Sequence, residues 1–130
     1  MCIRDRPNGA TYQAELAACQ RYAYQLTYGA TASTSEMIGL GTWYNATIFR
    51  APMRFPVPMR INPTLTATTG TNYYAIVGVG ATASYNSITL DYTTQNAANL
   101  NITTVGGTGG QSAWMVVNTS GASILFSAEL

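Results

Sequence analysis

Hydrophobic residues near the start of the chain recur at steps of three and four. The apolar positions of this pattern are Tyr12, Leu16, Cys19, Ala23 and Leu26. Such a stripe is typical of an amphipathic helix. We therefore predict one helix over Tyr12–Leu26, with Cys19 facing inward as a small buried thiol.

From Gly41 onward the hydrophobic pattern has a period of two and is interrupted by turn residues, which is typical of short antiparallel strands. In SITLDY, for example, we expect Ile88, Leu90 and Tyr92 to share one face. The predicted strands are Trp43–Arg50, Met53–Val57, Thr64–Thr68, Tyr73–Val79, Ser84–Tyr92, Asn99–Val105, Ala113–Asn118 and Ser123–Leu130. No helical pattern recurs between them. The sequence therefore predicts a mainly β fold, an antiparallel jelly-roll-like β-sandwich preceded by one N-terminal amphipathic helix.

The composition restricts the class of protein. A length of 130 residues suits one domain, and a hydrophobic content of 47% suits a folded one. The charged content of 8% is far below the roughly 25% of typical soluble domains. A net charge of +1 produces no field that would gather nucleic acid. No apolar run approaches the roughly 20 residues that span a bilayer. We predict neither nucleic-acid binding nor membrane insertion.

The first six residues, MCIRDR, have a charge density that no later segment approaches. One DNA string that would encode Met1 to Asp5 and begin an Arg codon for Arg6, ATG TGT ATA AGA GAC AG, resembles the end of a transposase-based sequencing adapter. We predict that residues 1–6 are an adapter-derived artefact; the alternative is a natural charged terminus. Residues 7–130 would then be a single domain, the C-terminal fragment of a longer protein. Without Cys2, Cys19 would have no intrachain partner for a disulfide.

Residue types that support catalysis or metal binding are scarce. The chain contains no His, so a Ser or Cys nucleophile would lack its usual base. The few acidic residues are isolated in sequence, which gives no indication of a glycosidase pair. Transition metals would find almost no ligands. We predict that the protein is not an enzyme and has no catalytic residues, no cofactor and no metal site.

Aromatic residues surrounded by Thr and Asn are the candidate binding groups. Such rings stack on sugars while amides and hydroxyls bond the sugar hydroxyls. We predict ligand contacts from Trp43, Tyr73, Tyr74 and Tyr85. Core or subunit-interface packing stays open for each of them, because interfaces are also rich in Tyr and Trp.

Three arginines lie close together in RAPMRFPVPMR, a segment whose prolines favour an edge or extended position over a central strand. Arg50, Arg54 and Arg60 suit two roles. They form an anion-recognition patch, or they pair with carboxylates and backbone carbonyls at strand ends or a subunit seam. Together with Tyr22 and Tyr24, they are the predicted interface residues.

Three segments resemble the C-terminal domains of tailed-phage tail-fibre and other virion structural proteins. The segments are AELAACQRYAYQL (Ala14–Leu26), similar to an ELALCQRYY pattern; FPVPMRINPTLTA (Phe55–Ala67), similar to PV-x-MR-x-x-PT; and ILFSAEL (Ile124–Leu130), similar to a chain-ending AEL. Ala23 departs from the first pattern, which has a second tyrosine there.

The resemblance implies the distal domain of a tail fibre or related virion appendage, located extracellularly on the virion. Such a domain would attach to a host surface glycan, form a homotrimer and follow upstream fibre domains of the same chain. One alternative is a purely structural trimerisation or capsid-decoration module, whose aromatic residues would lie at a threefold seam instead of an outer concavity. A second alternative is a secreted bacterial carbohydrate-binding module, which upstream sequence would distinguish.

Overall fold

The computed structural model describes residues 11–27, 36–78, 81–103 and 106–129. In this part of the chain the elements are α1 (Tyr12–Gln20), β1 (Ala23–Thr27), β2 (Met37–Trp43), β3 (Ile48–Arg54), β4 (Thr64–Ala67), β5 (Tyr74–Gly78), β6 (Ala81–Tyr85), β7 (Thr89–Thr93), β8 (Ala97–Thr103), β9 (Ser112–Val117) and β10 (Ile124–Ser127). The predicted mainly β fold with one N-terminal helix is thereby confirmed. The predicted artefact, residues 1–6, lies outside the described residues.

The helix α1 is shorter than its sequence pattern predicts. It ends at Gln20, and the second half of the predicted helix forms β1, which pairs with β10. This pairing overrides the helical period because it packs the ring of Tyr24 against Phe126, with ring centroids 6.5 Å apart. None of the α1 residues is buried. The predicted apolar stripe therefore does not cover the core.

Cys19, near the end of α1, is disulfide-bonded. The prediction of a buried thiol at this position is therefore wrong. The expectation that Cys19 lacks an intrachain partner applies only without residues 1–6, which contain the other cysteine of the chain and lie outside the described residues. Because a disulfide restrains the unfolded chain, it adds a constraint at a helix that buries no side chain.

The strands form two antiparallel sheets. The larger sheet curves as a half-barrel with the order β6-β5-β9-β2-β3-β8-β7, and the smaller has the order β1-β10-β4. Pairing is nested from the ends of the chain inward: β1 pairs with β10, β2 with β9 and β3 with β8. β4 contacts β7, and β5 and β6 form the innermost hairpin. Strands from the two halves of the chain thus pair with each other in both sheets.

One hydrophobic core is shared by the two sheets. Phe55, which follows β3, packs edge-on against Phe126 of β10 with ring centroids 5.1 Å apart. Trp43 of β2 packs edge-on against Phe49 of β3 at 5.5 Å. Fully buried aliphatic side chains occupy much of the remaining space: Ile76, Leu100, Ile102, Met115, Val117 and Ile124. Burial of each such side chain stabilises the fold by about 1.5–3 kcal/mol.

The predicted strand Trp43–Arg50 is divided between β2 and β3. The chain turns at residues 44–47, where Asn45 Oδ1 accepts hydrogen bonds from the backbone amides of Thr47 and Ile48 at 2.9 and 2.8 Å. An asparagine that bonds the following backbone in this way stabilises a tight turn. The hairpin brings Tyr44 to the start of β3, where it contributes to the surface described below.

β3 lies inside the seven-stranded sheet although it contains Pro52. Its pairing with β2 is confined to Phe49 and Arg50, whereas its pairing with β8 extends over Ile48–Arg54. Pro52 therefore has a partner strand on one side only, which suits a residue without an amide proton. The prediction of an edge or extended segment is wrong for the strand as a whole and correct for its second half.

Candidate functional site

Three of the four predicted ligand contacts lie in the hydrophobic core. Trp43 and Tyr85 are each 6% exposed, and Tyr74 is completely buried. Tyr73 is half-buried and packs against the core. A covered ring cannot stack on a sugar, so this placement does not support Trp43, Tyr74 and Tyr85 as glycan contacts.

Tyr74 and Tyr85 instead form a stacked pair inside the core, with ring centroids 5.8 Å apart. The Tyr74 hydroxyl donates a hydrogen bond to the Thr68 carbonyl at 2.9 Å, and the Tyr85 hydroxyl donates to the Ala75 carbonyl at 3.3 Å. Burial, with a smaller contribution from neighbouring Tyr73, raises the pKa of Tyr74 to about 12. Burial, with a smaller contribution from Tyr74, also raises the pKa of Tyr85 well above its ordinary value. Both hydroxyls therefore serve the fold.

The predicted interface residues divide into separate groups. Arg50 and Arg54 lie on the same outer face of β3, because residues four apart on a strand point the same way. Arg60 follows β3 in the chain, and its guanidinium carbon is 5.6 Å from the centroid of the exposed Tyr22 ring. Tyr24 is half-buried and packs against the core. Arg50 and Arg54 therefore share one strand face, whereas Arg60 contacts Tyr22.

The outer face of the seven-stranded sheet, which is turned away from the core, carries a charged and aromatic cluster at the β3 end. Nη2 of Arg50 lies 2.8 Å from Oδ2 of Asp91 on β7. The Arg50 guanidinium carbon is 4.3 Å from the ring centroid of Tyr44 and 5.8 Å from that of Tyr92. Such a cation is held by both the carboxylate and the aromatic faces. These four residues are termed the Arg50 cluster.

A groove of about 500 Å³ lies beside the Arg50 cluster, on β3, β8 and the end of β7. The residues that line this Tyr92 groove are Pro52, Met53, Arg54, Tyr92, Thr94, Ala97, Ala98 and Asn99. Tyr92 is 68% exposed, and the small side chain of Ala97 leaves the floor open. The volume is within the roughly 300–1,000 Å³ of small-molecule sites.

Several polar side-chain atoms around the groove are buried without a hydrogen-bond partner in the described part of the structure. They are Arg50 Nε, Thr93 Oγ1, Asn99 Oδ1 and Asn101 Oδ1. Buried polar atoms of this kind are rare, and each costs about 1–3 kcal/mol when it is left unpaired. Asn99 lines the groove, and Asn101 is the cross-strand partner of Arg50. Because these atoms are buried, their position favours ordered water as the partner.

The other end of the outer face, on β5, β9 and β2, is apolar. Trp114 of β9 is 53% exposed and lies between its cross-strand partners Leu40 and Val77. Met37, also exposed, lies further along β2. A hollow of about 280 Å³ opens beside Trp114. Contiguous exposed apolar side chains of this kind mark interaction surfaces. Met37, Leu40, Val77 and Trp114 are termed the Trp114 patch.

The sequence pattern predicts the wrong face of the sheet for Tyr92. The alternation predicts that it shares a face with Ile88 and Leu90, which do face the core. A register shift in the pairing of β7 with β8, between Leu90 and Thr93, interrupts this alternation. Tyr92 consequently lies on the outer face. No residue type in this segment signals the shift.

Trp114, in contrast, had a signal in the sequence. Ala113, Met115 and Val117 alternate along β9 and are all buried. A strand whose alternate residues face the core must turn the residues between them outward. The same period of two that predicts the strand therefore also indicates an exposed Trp114.

Residues 11–27, 36–78, 81–103 and 106–129 contain no group of three or more His, Cys, Asp or Glu side chains that could hold a metal ion. No helix within them is long and apolar enough to cross a membrane.

No protein-family model matches this chain, and no curated protein or solved structure matches it either. The geometry of the outer face is therefore the basis on which a function can be argued.

Proposed function

We propose that this protein is the non-catalytic distal domain of a phage tail fibre or related virion appendage and that it attaches to a host surface glycan through the Tyr92 groove. The observation that carries the proposal is the exposed Tyr92 ring, which borders a groove that Thr94 and Asn99 also line. An aromatic face beside amide and hydroxyl groups suits a sugar, which is apolar on its ring face and polar at its edge.

The resemblance of three segments to tail-fibre domains supports the virion assignment and an extracellular location. It also supports the attachment of this domain to upstream fibre domains of the same chain. The proposed fold at the finer level is a jelly-roll-like β-sandwich. Nested pairing of the first strand with the last, and of the second with the next to last, supports this assignment, as does the core that the two sheets share.

Glycan attachment can be tested with the Tyr92→Ala variant on an array of bacterial surface polysaccharides and in adsorption to host cells. Removal of an exposed stacking ring should weaken binding about tenfold or more. Tyr12→Ala is the matched control, because Tyr12 is 75% exposed, close to the 68% of Tyr92, but lies on α1. Equal binding by the two variants, with both folded by circular dichroism, would contradict the proposal.

A second candidate function is favoured by the Trp114 patch. Exposed Met37, Leu40 and Trp114 on one neutral surface suit contact with another subunit, as in a trimerisation or capsid-decoration module. The proposed homotrimer would use this patch and leave the Tyr92 groove free. The two functions are therefore compatible if both surfaces are occupied.

The second candidate can be tested by light scattering on the full chain and on Trp114→Glu. If the patch joins subunits, the wild-type protein should have the mass of a trimer, and a buried unpaired carboxylate should reduce it to a monomer. Tyr92→Glu introduces the same charge in the groove and should leave the mass unchanged. A wild-type monomer at high concentration would exclude the patch as a self-association surface.

A further inference from the structure

The charge of the Tyr92 groove is unbalanced. Arg54 is the charged residue in its lining, and it is exposed. Asp91, the nearby acid of the Arg50 cluster, is paired with Arg50 at 2.8 Å. In the described part of the structure Arg54 has no ion-pair partner. The groove therefore presents one uncompensated positive charge.

The position of this charge relates it to the other binding groups. Arg54 and Pro52 lie on the outer face of β3, where their cross-strand partners on β8 are Ala97 and Asn99. Arg54 is thus diagonal to Asn99, at a distance of about 7–8 Å between Cα atoms for such neighbours. A sugar of one or two rings is long enough to contact Tyr92, the Asn99 amide and the Arg54 guanidinium together.

We infer that the Tyr92 groove selects a glycan that carries a carboxylate, with Arg54 as its specificity-determining residue. The planar guanidinium matches a carboxylate through two parallel N–H···O bonds. Tyr92 would stack on the sugar ring, and Asn99 would bond a ring hydroxyl. The inference rests on the proposed glycan attachment and adds the chemical class of sugar.

The test uses the full chain on an array in which each acidic bacterial polysaccharide is printed beside its carboxyl-reduced form. Reduction turns each carboxylate into a primary alcohol and leaves the rest of the polymer unchanged. We expect binding to the acidic form to be about tenfold or more stronger. Arg54→Gln should abolish this preference, and Arg54→Lys should retain part of it because the charge remains without the two-pronged geometry.

Arg60→Gln is the matched control, since Arg60 is also exposed and its loss changes the net charge equally. This variant should keep the preference for the acidic form. Equal binding to reduced and acidic polymers, or an unchanged preference in Arg54→Gln, would overturn the inference. If binding is lost in Tyr92→Ala but is indifferent to carboxyl reduction, only the inference fails. If no polysaccharide binds at all, the proposed glycan attachment fails with it.

Discussion

The inner and outer faces of the seven-stranded sheet carry the same aromatic residue types in opposite settings. On the inner face, Tyr74 and Tyr85 are stacked, and their hydroxyls donate hydrogen bonds to backbone carbonyls. On the outer face, Tyr44 and Tyr92 are 64% and 68% exposed and lie beside the Arg50 guanidinium. The inner hydroxyls are committed to the fold, whereas the outer rings can receive a ligand.

The comparison shows that the polar groups around a tyrosine, and not the residue type, indicate whether it serves the fold or a ligand. Buried tyrosines in this domain find carbonyls of neighbouring strands or loops, so they need no external group. Around the outer tyrosines, by contrast, Asn99 and Asn101 have carbonyl oxygens without partners in the described residues. An aromatic residue is a candidate contact where the polar atoms near it are incomplete.

The two tryptophans give the sharpest contrast between the faces. Trp43→Ala should lower the free energy of unfolding by about 3–5 kcal/mol, because its removal leaves a cavity against Phe49. Trp114→Ala should change it by only about 0.5 kcal/mol or less, because this side chain is half exposed. Urea denaturation, at a protein concentration where both variants have the same oligomeric state, would measure the difference in the free energy of unfolding.

Gly107 provides an independent control for the inner tryptophan. A methyl group at this position would overlap the Trp43 indole, so Gly107→Ala should also destabilise the domain. At Gly109 a methyl group would meet only ordinary contacts, so Gly109→Ala should be tolerated. Equal destabilisation by Trp43→Ala and Trp114→Ala would mean that the two faces are not distinguished by packing.

Local patterns predicted several of the strands closely and missed others, such as β1 and most of β2. The period of two placed a strand at Ala113–Asn118, where β9 is Ser112–Val117, and one at Thr64–Thr68, where β4 is Thr64–Ala67. Such alternation is a property of a few neighbouring residues and can be read without the rest of the chain. The same locality explains the error at α1, since the pairing of β1 with β10 depends on residues at the far end of the sequence.

The candidate site could not be predicted in this way. Its aromatic residue, Tyr92, reaches the outer face through a register shift that the residue types do not reveal. Its arginine and amide, Arg54 and Asn99, come together only because β3 pairs with β8. The arginine spacing does indicate a role for Arg54, but at a subunit seam or in an anion patch shared with Arg60, which lies beside Tyr22.

The inner tyrosines should make the domain sensitive to alkali. Tyr74 has a pKa raised by burial to about 12, against about 10 in an unfolded chain. The contribution of this raised pKa to the free energy of unfolding is complete below pH 10. It is lost as the pH rises toward 12, because in this range the unfolded state releases the proton and the folded state keeps it. The slope is about 1.4 kcal/mol per pH unit, or about 2–3 kcal/mol by pH 12.

This loss can be followed by tyrosinate absorbance and circular dichroism in the same titration. Ionisation of the buried tyrosines should coincide with unfolding. Tyr74→Phe should lessen the alkaline slope, although it costs about 1 kcal/mol at neutral pH through the lost hydrogen bond to Thr68. Complete ionisation of every tyrosine while the domain stays folded would contradict the assignment of these hydroxyls to the core.

The outer Arg50 cluster should make a smaller, salt-dependent contribution to the free energy of unfolding. Arg50→Ala leaves Asp91, whose side chain is 22% exposed, without its partner, and should cost about 1–2 kcal/mol. In a double-mutant cycle with Asp91→Asn, the coupling should be about 1 kcal/mol and should fall as salt is added. The change in the free energy of unfolding caused by Leu40→Ala, at the apolar end of the same face, should not depend on salt. A coupling near zero would mean that Arg50 is held by the Tyr44 and Tyr92 rings and not by Asp91, so that Asp91 would be free to oppose an acidic ligand. Acidic-sugar selection by Arg54 would then weaken together with the ion pair.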